Sequence, residues 1–249
     1  IRGAGGGPPP PSAPPQPTRT PDTLHSRQFA TLLDLISEGE IEGFATASKA
    51  GLTKGTTAYN NAALKDVFLN NTAILQSSAS NTSPVSTDFN FQDVSFTPRF
   101  GTSNQEHISG IESSQSINPV GVTVTNSTPV TRTISNSDVD AVKVTVTFPQ
   151  IQVATNAGDL LGSSVNLQIQ IQYNGGGFTT LIDDTVTGRT ADAYQKEYRV
   201  NLTGSFPVDV KVVRVTADAT SASTVNTFQF TSFTEIIDDK QTYLNSAYT

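Results

Sequence analysis

The feature that most constrains this chain is a strict alternation of apolar and polar residues in several short segments. Residues 142–148 place Val142, Val144, Val146 and Phe148 at every second position, and residues 165–173 repeat this spacing with Asn and Gln in between. Successive side chains of a β-strand point to opposite faces, so such alternation places one face on a core and the other in water. The pattern therefore predicts half-buried antiparallel strands.

Similar segments recur along the second half of the chain with turn signals between them. They are found at residues 120–125, 130–134, 178–183, 198–202, 208–215 and 225–237. Asn174 and the three glycines after it supply a turn between two of these segments. Many short alternating strands separated by turns predict an antiparallel β-sandwich, and the fold class predicted for the chain is all-β.

The first half of the chain carries weaker signals. Residues 67–75 predict a tight hairpin, because Asn70 and Asn71 tolerate the positive φ of its turn. Residues 45–64 are small and polar and predict a loop, whereas the alternating phenylalanines of residues 89–96 predict a half-buried strand with a bulge.

Residues 29–44 allow two interpretations. Leu32, Leu33 and Ile36 share one face of a possible helix. The alternative is a hairpin with a turn at residues 37–39 and Ile41 on the returning strand. Glycines inside the run favour the hairpin, since glycine weakens a helix interior.

Residues 1–22 form a separate proline-rich and glycine-rich arm with almost no apolar residues. Such a segment cannot bury enough surface to fold alone, and its proline part is expected to be an extended polyproline II helix. The arm is either a free tail or docked on a partner, and we favour docking on a neighbouring subunit. The residues predicted for this partner interface are Pro8, Pro9, Pro10, Pro11, Pro14, Pro15, Pro17, Arg19 and Pro21.

Composition excludes several kinds of chemistry. The chain has no Cys, which excludes disulfides, zinc–cysteine sites and a cysteine nucleophile. Its two histidines, His25 and His107, are far apart in the sequence. The carboxylate pair Glu38 and Glu40 and the pair Asp138 and Asp140 are interpreted as charges of turns. We predict no catalytic, cofactor or metal site, and the chain is not expected to be an enzyme.

Charge and hydropathy limit the partners. The net charge of −7 argues against specific nucleic-acid binding. No segment reaches the run of about 18 apolar residues expected of a membrane-spanning helix. Residue 1 opens a Gly/Pro tract, so no signal peptide is expected, and the absence of Met suggests that the chain starts downstream of the true start.

Seven segments, in order along the chain, resemble the N-terminal part of the tip attachment protein J family of lambda-like tailed phages, also called host-specificity protein or tail hub. They are residues 32–43 (LLDLISEGEIEG), 67–75 (VFLNNTAIL), 99–102 (RFGT), 128–134 (TPVTRTI), 138–146 (DVDAVKVTV), 165–176 and 235–245 (EIIDDKQTYLN). The glycine-rich start and residues 19–22 also resemble the family's N-terminus.

The resemblance implies a structural virion protein, made in the host cytoplasm and located at the distal end of the phage tail. It implies a trimeric hub that closes the tail tube and contacts distal tail and tail-tip subunits and the C-terminal end of the tape-measure protein. Host receptor binding is implied only for residues beyond this chain.

Both flanks of the chain resemble the hub, and its middle has the pattern of a β-sandwich. We therefore predict three parts. Residues 1–22 are the arm, residues 23–103 with 230–249 are a hub β-module, and residues 104–229 are an inserted β-sandwich. Two rival classes stay open: a secreted bacterial adhesin or surface-layer module, which shares this composition, and a carbohydrate-binding tailspike module, which needs exposed aromatic residues or paired carboxylates in a groove.

Overall fold

A computed structural model describes residues 16–26 and 30–249, and it divides them into two compact units. One unit contains residues 16–26 and 114–237, and the other contains residues 30–113 and 238–249. The elements in chain order are β1 (Leu35–Glu38), α1 (Ala45–Lys49), α2 (Thr57–Ala63), β2 (Phe68–Leu69), β3 (Thr72–Ala73), a 3-10 turn (Ser86–Asp88), β4 (Arg99–Phe100), β5 (Glu112–Val124), β6 (Val130–Ile134), β7 (Ala141–Phe148), β8 (Gln152–Ala154), β9 (Leu160–Leu161), β10 (Ser163–Tyr173), β11 (Thr179–Gly188), β12 (Tyr194–Asn201), β13 (Val208–Arg214), β14 (Thr224–Val225), β15 (Phe228–Asp238) and β16 (Ser246–Tyr248).

The first unit is a β-sandwich made of two four-stranded sheets. One sheet has the order β11-β10-β13-β6 and the other β12-β7-β15-β5, while β14, β8 and β9 form a small third sheet. All described pairings within these sheets are antiparallel. The architecture confirms the all-β prediction and the sandwich predicted for the second half of the chain.

Side-chain alternation along β10 and β7 builds the core of the sandwich. Val165, Leu167, Ile169 and Ile171 on β10 are fully buried. They belong to one cluster with the alternate residues of β7 and with the phenylalanines of β15. The polar residues between them on β10 lie on the outer face, which explains why a chain so rich in Gln and Thr still closes a continuous core.

The second unit is small and has two apolar clusters of its own. Its three-stranded sheet has the order β1-β16-β4, so the last described strand lies between two strands of the segment 30–113. The side chain of Gln105 reinforces this closure, because its Nε2 donates to the carbonyls of Tyr243 (2.7 Å) and Ser246 (2.8 Å).

Three predictions for the second unit are wrong, those for residues 29–44, 45–64 and 89–96. The predicted hairpin over residues 29–44 does not form, because β1 pairs with β16 and the Ile41 amide donates to the carbonyl of Phe100 instead. The helix alternative is wrong as well. The predicted strand at residues 89–96 is absent, and Phe89 and Phe91 pack irregularly against an apolar cluster.

The predicted loop over residues 45–64 contains α1 and α2. Thr56 caps α2, since its Oγ1 accepts a hydrogen bond from the Tyr59 amide (3.2 Å). Tyr59 and the adjacent alanines are buried, and the Tyr59 hydroxyl accepts from the Phe44 amide (3.0 Å). Packing of small residues around one tyrosine therefore stabilises helices that the local sequence favours only weakly.

The predicted hairpin over residues 67–75 is confirmed. β2 pairs with β3, and Asn70 and Asn71 both have positive φ in the turn between them. The predicted module boundaries remain predictions. None of the helices within residues 16–26 and 30–249 combines the length and apolarity that a membrane crossing requires.

We expect Leu167→Ala to lower the free energy of unfolding of the sandwich by about 2–5 kcal/mol, because it removes a fully buried side chain from a packed core. Urea unfolding followed by circular dichroism measures this change. The matched control is Leu181→Ala on β11, where the leucine is 46% exposed and the expected change is below about 0.5 kcal/mol. Equal effects of the two substitutions would contradict the assigned core.

Candidate partner interface

Residues 16–22 of the proline-rich arm and the adjoining residues 23–26 lie along the sandwich of their own chain, and residues 16–26 together are the part of the arm described below. Arg19 forms a parallel β-bridge with Leu160 on β9. The Thr20 amide donates to the Leu160 carbonyl (2.9 Å), and the Leu160 amide donates to the Thr18 carbonyl (2.9 Å). The arm therefore adds to the edge of the small third sheet through its backbone.

A buried arginine anchors the arm. Arg189 directly follows β11, and its side chain is only 1% exposed. Its Nη1 forms an ion pair with Asp22 and donates to the Thr20 carbonyl (3.0 Å), while its Nη2 donates to Gln152 Oε1 (3.2 Å). A buried charge is tolerated only when it is paired and hydrogen-bonded, so the arm satisfies a group that the sandwich alone would leave short of partners.

Backbone contacts complete this anchor. The amide of Thr23 donates to the Arg189 carbonyl (2.9 Å), and the Arg189 amide donates to Thr23 Oγ1 (3.1 Å). Leu24 packs against the sandwich core. Arg189 thus binds the arm through both its side chain and its main chain.

Gly188 allows the arm to approach this closely. A Cβ atom at this position would lie 2.6 Å from Thr23 Oγ1 and 2.8 Å from Leu24 Cγ, distances that real Cβ atoms do not adopt. The residue also has a φ of +154°, which side chains rarely permit. Both the close contact and the backbone conformation require glycine here.

The start of the described arm has a polar contact of its own. The Thr18 amide donates to Asp159 Oδ1 (2.6 Å), and this hydrogen bond lowers the pKa of the exposed Asp159 carboxyl. Because the pKa is lowered, the Asp159 carboxyl is ionised at neutral pH and accepts this hydrogen bond at full strength. The hydrogen bond weakens only as the pH falls through the folded-state pKa of Asp159, below its usual value.

The arm presents two different sides. Thr20, Asp22 and Leu24 are partly buried against the sandwich, whereas Pro17, Arg19 and Pro21 are exposed. These three exposed residues belong to the predicted partner interface. The other six, Pro8, Pro9, Pro10, Pro11, Pro14 and Pro15, lie outside the described residues. Contact of the arm with a neighbouring subunit stays a prediction.

A cluster of ionisable groups connects the two sheets of the sandwich. Asp184 Oδ2 on β11 accepts hydrogen bonds from Lys196 Nζ and the Tyr198 hydroxyl on β12, each at 2.6 Å. Burial raises the pKa of Asp184, but these two donors outweigh it and the net shift is downward. Burial, reinforced by the hydrogen bond to Asp184, raises the pKa of Tyr198. The cluster therefore joins β11 to β12, and its hydrogen bonds are made between residues of the sandwich itself.

The residues described in 16–26 and 30–249 contain no group of three or more His, Asp or Glu side chains placed to hold a metal ion. Residues 16–26 instead form an extended segment that is held on one side by the sandwich and exposed on the other.

Comparison with known proteins identifies the family. The model of the FNIII-A domain of tip attachment protein J matches residues 114–239, which is the sandwich and half of the chain. The chain belongs to the tip attachment protein J family. This membership confirms the family resemblance seen in the sequence and the location predicted from it, the phage tail tip.

Two tip attachment J proteins extend the similarity beyond the sandwich. The protein of Escherichia phage SECphi4 is 32% identical over 229 residues, which cover 91% of this chain and 18% of that protein. The protein of Escherichia phage SECphi27 is 25% identical over 181 residues, or 72% of this chain and 14% of that protein. The chain thus spans less than a fifth of the length of these relatives.

Among solved structures, a chain titled "CBM4 structure and function" aligns with 53% of this chain and 74% of its own length at 11% identity. The TM-score of 0.21 is too low to support an argument.

The tip attachment protein J family is one of structural phage proteins. The sandwich of this chain anchors residues 16–26 through Arg189, and the sequence did not predict this anchor. Arg189, Gly188 and Asp159 were not singled out, because each is an ordinary residue in a turn or at a strand end. Asp22 and Arg189 lie 167 positions apart, and no local pattern joins them. A lone arginine after a strand carries no sequence signal of burial.

We expect Arg189→Met to release the arm, because it removes the guanidinium that contacts Asp22 and Thr20. Amide hydrogen exchange measured by NMR should show the protection of the Thr20 and Thr23 amides falling about tenfold or more, since a hydrogen bond to a charged group contributes about 1.5–3 kcal/mol. The control is Arg132→Met on β6, whose guanidinium donates only to the adjacent Thr131 carbonyl among its described contacts. Unchanged protection in Arg189→Met would contradict the anchor.

We expect Gly188→Ala to displace the arm by direct overlap with Thr23 and Leu24. The matched control is Gly177→Ala, where a Cβ would have no neighbour within 4 Å. Limited proteolysis should cleave the Gly188→Ala protein faster within residues 16–26 than either the parent or the control. Equal cleavage of all three proteins would show that the close approach at Gly188 does not restrain the arm.

Proposed function

We propose that this chain is the N-terminal part of a phage tail-tip hub, the structural protein that closes the distal end of the tail tube. The observation that carries this proposal is membership of the tip attachment protein J family. The partners we propose are distal tail and tail-tip subunits and the C-terminal end of the tape-measure protein. In this proposal the hub is a homotrimer, and the host receptor is bound by residues beyond this chain.

We also propose that the chain is divided into the arm of residues 1–22, a hub module of residues 23–103 with 230–249, and an inserted sandwich of residues 104–229. The pairing of β16 with β1 and β4 supports an insertion, since it brings both flanks into one unit. The continuous core of the sandwich also supports an insertion. This core includes Phe230 and Phe233 on β15, so the compact units favour a C-terminal boundary of the inserted sandwich near residue 238. No observation on the described residues favours the secreted adhesin or the tailspike module over this assignment.

The arm is the part of this chain that we propose for contact with a neighbouring subunit. Its inner side is occupied by the sandwich, and its outer side exposes Pro17, Arg19 and Pro21. An extended proline-containing segment that is already anchored loses little conformational entropy on binding, so it is a favourable element for assembly.

The triple substitution Pro17→Ser, Arg19→Ser and Pro21→Ser tests the arm, because it keeps Thr20, Asp22 and Leu24 and therefore the anchor at Arg189. The Pro17 ring lies beside Gly158 of the sandwich, so the stability of the variant is checked separately. In phage that carry the full-length protein, we expect about a tenfold loss of assembled tails, equivalent to ~1.4 kcal/mol of binding free energy. Electron microscopy of the particles and the titre of infectious phage measure this loss.

Two controls make the result interpretable. Thermal unfolding of the purified chain should be the same for the triple variant and the parent, which excludes damage to the sandwich. Labelling of parent particles with an antibody against the sandwich should mark the distal tail end. Normal tail assembly by the triple variant would reject the arm as the contact, and label elsewhere on the particle would reject the tail-tip hub.

A further inference from the structure

The first strand of the second unit exposes an unusual run of apolar side chains. Leu32 is 82% exposed and Leu35 57%, and Leu33 and Ile36 are exposed as well. Because neighbouring side chains of an extended segment point to opposite faces, both faces of this segment are apolar and open to solvent. Single exposed leucines are ordinary, but four exposed apolar residues within five positions, interrupted only by Asp34, mark an interaction site.

The backbone of the same segment is open on one side. β1 lies at the edge of its sheet and pairs only with β16 among the strands described in residues 16–26 and 30–249. The amide and carbonyl groups that point away from β16 are therefore available to a further strand. The register shift between Leu35 and Ser37 bends the strand but leaves this side uncovered.

The four edge strands of the two large sandwich sheets carry the usual protection against strand addition. β5 contains Pro119, β6 contains Arg132 and β12 contains Lys196, while β11 has a register shift and exposes Asp183. Proline, charge and bulges of this kind prevent unwanted edge pairing. β1 shares a register shift and an acidic residue, Glu38, with these edges. It has neither proline nor a cation beside its exposed Leu35 and Ile36, so this edge suits a partner of opposite charge.

Charge identifies the kind of partner. Asp34, Glu38, Glu40 and Glu42 are all exposed, and none of them forms an ion pair with a described residue. No lysine or arginine occurs between residues 30 and 48. A strand that binds here gains by offering lysine or arginine beside its apolar residues, since opposite charges across a strand pair are favourable.

A second copy of β1 does not fit this requirement. In an antiparallel pair centred on Ile36, Asp34 of each copy lies opposite Glu38 of the other. Like charges directly opposite each other destabilise a strand pair, and here the conflict occurs twice. The occupant must therefore come from a different surface with the opposite charge.

We propose that β1, together with Leu32 and Leu33, is a docking edge for a strand of another tail protein. That strand alternates apolar residues with lysine or arginine and extends the sheet β1-β16-β4 by β-augmentation. This inference rests on the proposed function, because it assumes assembly with other tail proteins, and it names the contact that the second unit makes.

Photo-crosslinking in assembled tails tests the proposal directly. A benzoylphenylalanine is placed at position 35 of the full-length protein, with position 181 on the exposed part of β11 as the matched control site. Tails are purified and irradiated, and the crosslinked peptides are identified by mass spectrometry. We expect position 35 to link to a segment of another tail protein that alternates apolar residues with lysine or arginine.

Charge reversal and loss of apolar surface give a second readout. We expect the pair Leu35→Thr and Ile36→Thr, which keeps strand propensity, to lower the yield of assembled tails at least tenfold. The pair Glu38→Lys and Glu40→Lys should lower it similarly. Leu181→Thr should leave the yield unchanged. Because both changes in β1 affect exposed side chains, thermal unfolding of the purified chain should stay at the parent value.

Each outcome is decisive. A link from position 35 to β1 of another copy, to a segment without that pattern, or to nothing in tails that contain the protein would overturn the docking edge while leaving the tail-tip function intact. Parent-level tail yield in both β1 variants would overturn it as well. Purified tails that lack the protein altogether would instead reject the proposed function, and the docking edge with it.

Discussion

The sandwich depends on one constraint: every second residue of β7 and β10 must be apolar and must face the opposite sheet. Val144 and Ile169 satisfy this in the centre of the two sheets, where both are fully buried. Alternation leaves the residues between them outside, so Gln and Thr can be abundant without entering the core. A domain with a self-contained core of this kind can be inserted into another module without relying on it for its own stability.

Polar contacts position residues 16–26, which lie largely outside the apolar core. Arg189 is buried at the edge of the sandwich, and the arm supplies Asp22 and the Thr20 carbonyl as its partners. The energetic asymmetry matters here, because an unpaired buried cation costs far more than a paired one contributes. This fixes where residues 16–26 lie and leaves their outer side free. In the second unit, by contrast, the edge strand β1 leaves apolar side chains exposed and one side of its backbone without a neighbouring strand.

Sequence reasoning succeeded where the physical cause is local. Asn70 and Asn71 determine their turn because their own backbone preference is enough. The long strands β6, β7, β10, β11, β12, β13 and β15 follow from the alternation of apolar and polar residues. It failed where partners are distant in sequence. Residues 29–44 have the composition of a hairpin, but β1 gains more by pairing with β16, more than 200 positions away along the chain. Similarly, α2 is stabilised by the burial of Tyr59, and the residues next to Tyr59 in the sequence do not predict this burial.

The sequence by itself determined the fold class, most strands of the sandwich and the family, because periodicity, turn chemistry and ordered motifs are all properties of short segments. Only the tertiary structure decided the route of the arm, the burial of Arg189 and the exposed edge at β1. Burial and pairing depend on which distant surfaces meet, and an arginine or a leucine looks the same in a sequence whether it is covered or open. The sequence alone therefore marked neither Arg189 as an anchor nor β1 as an open edge.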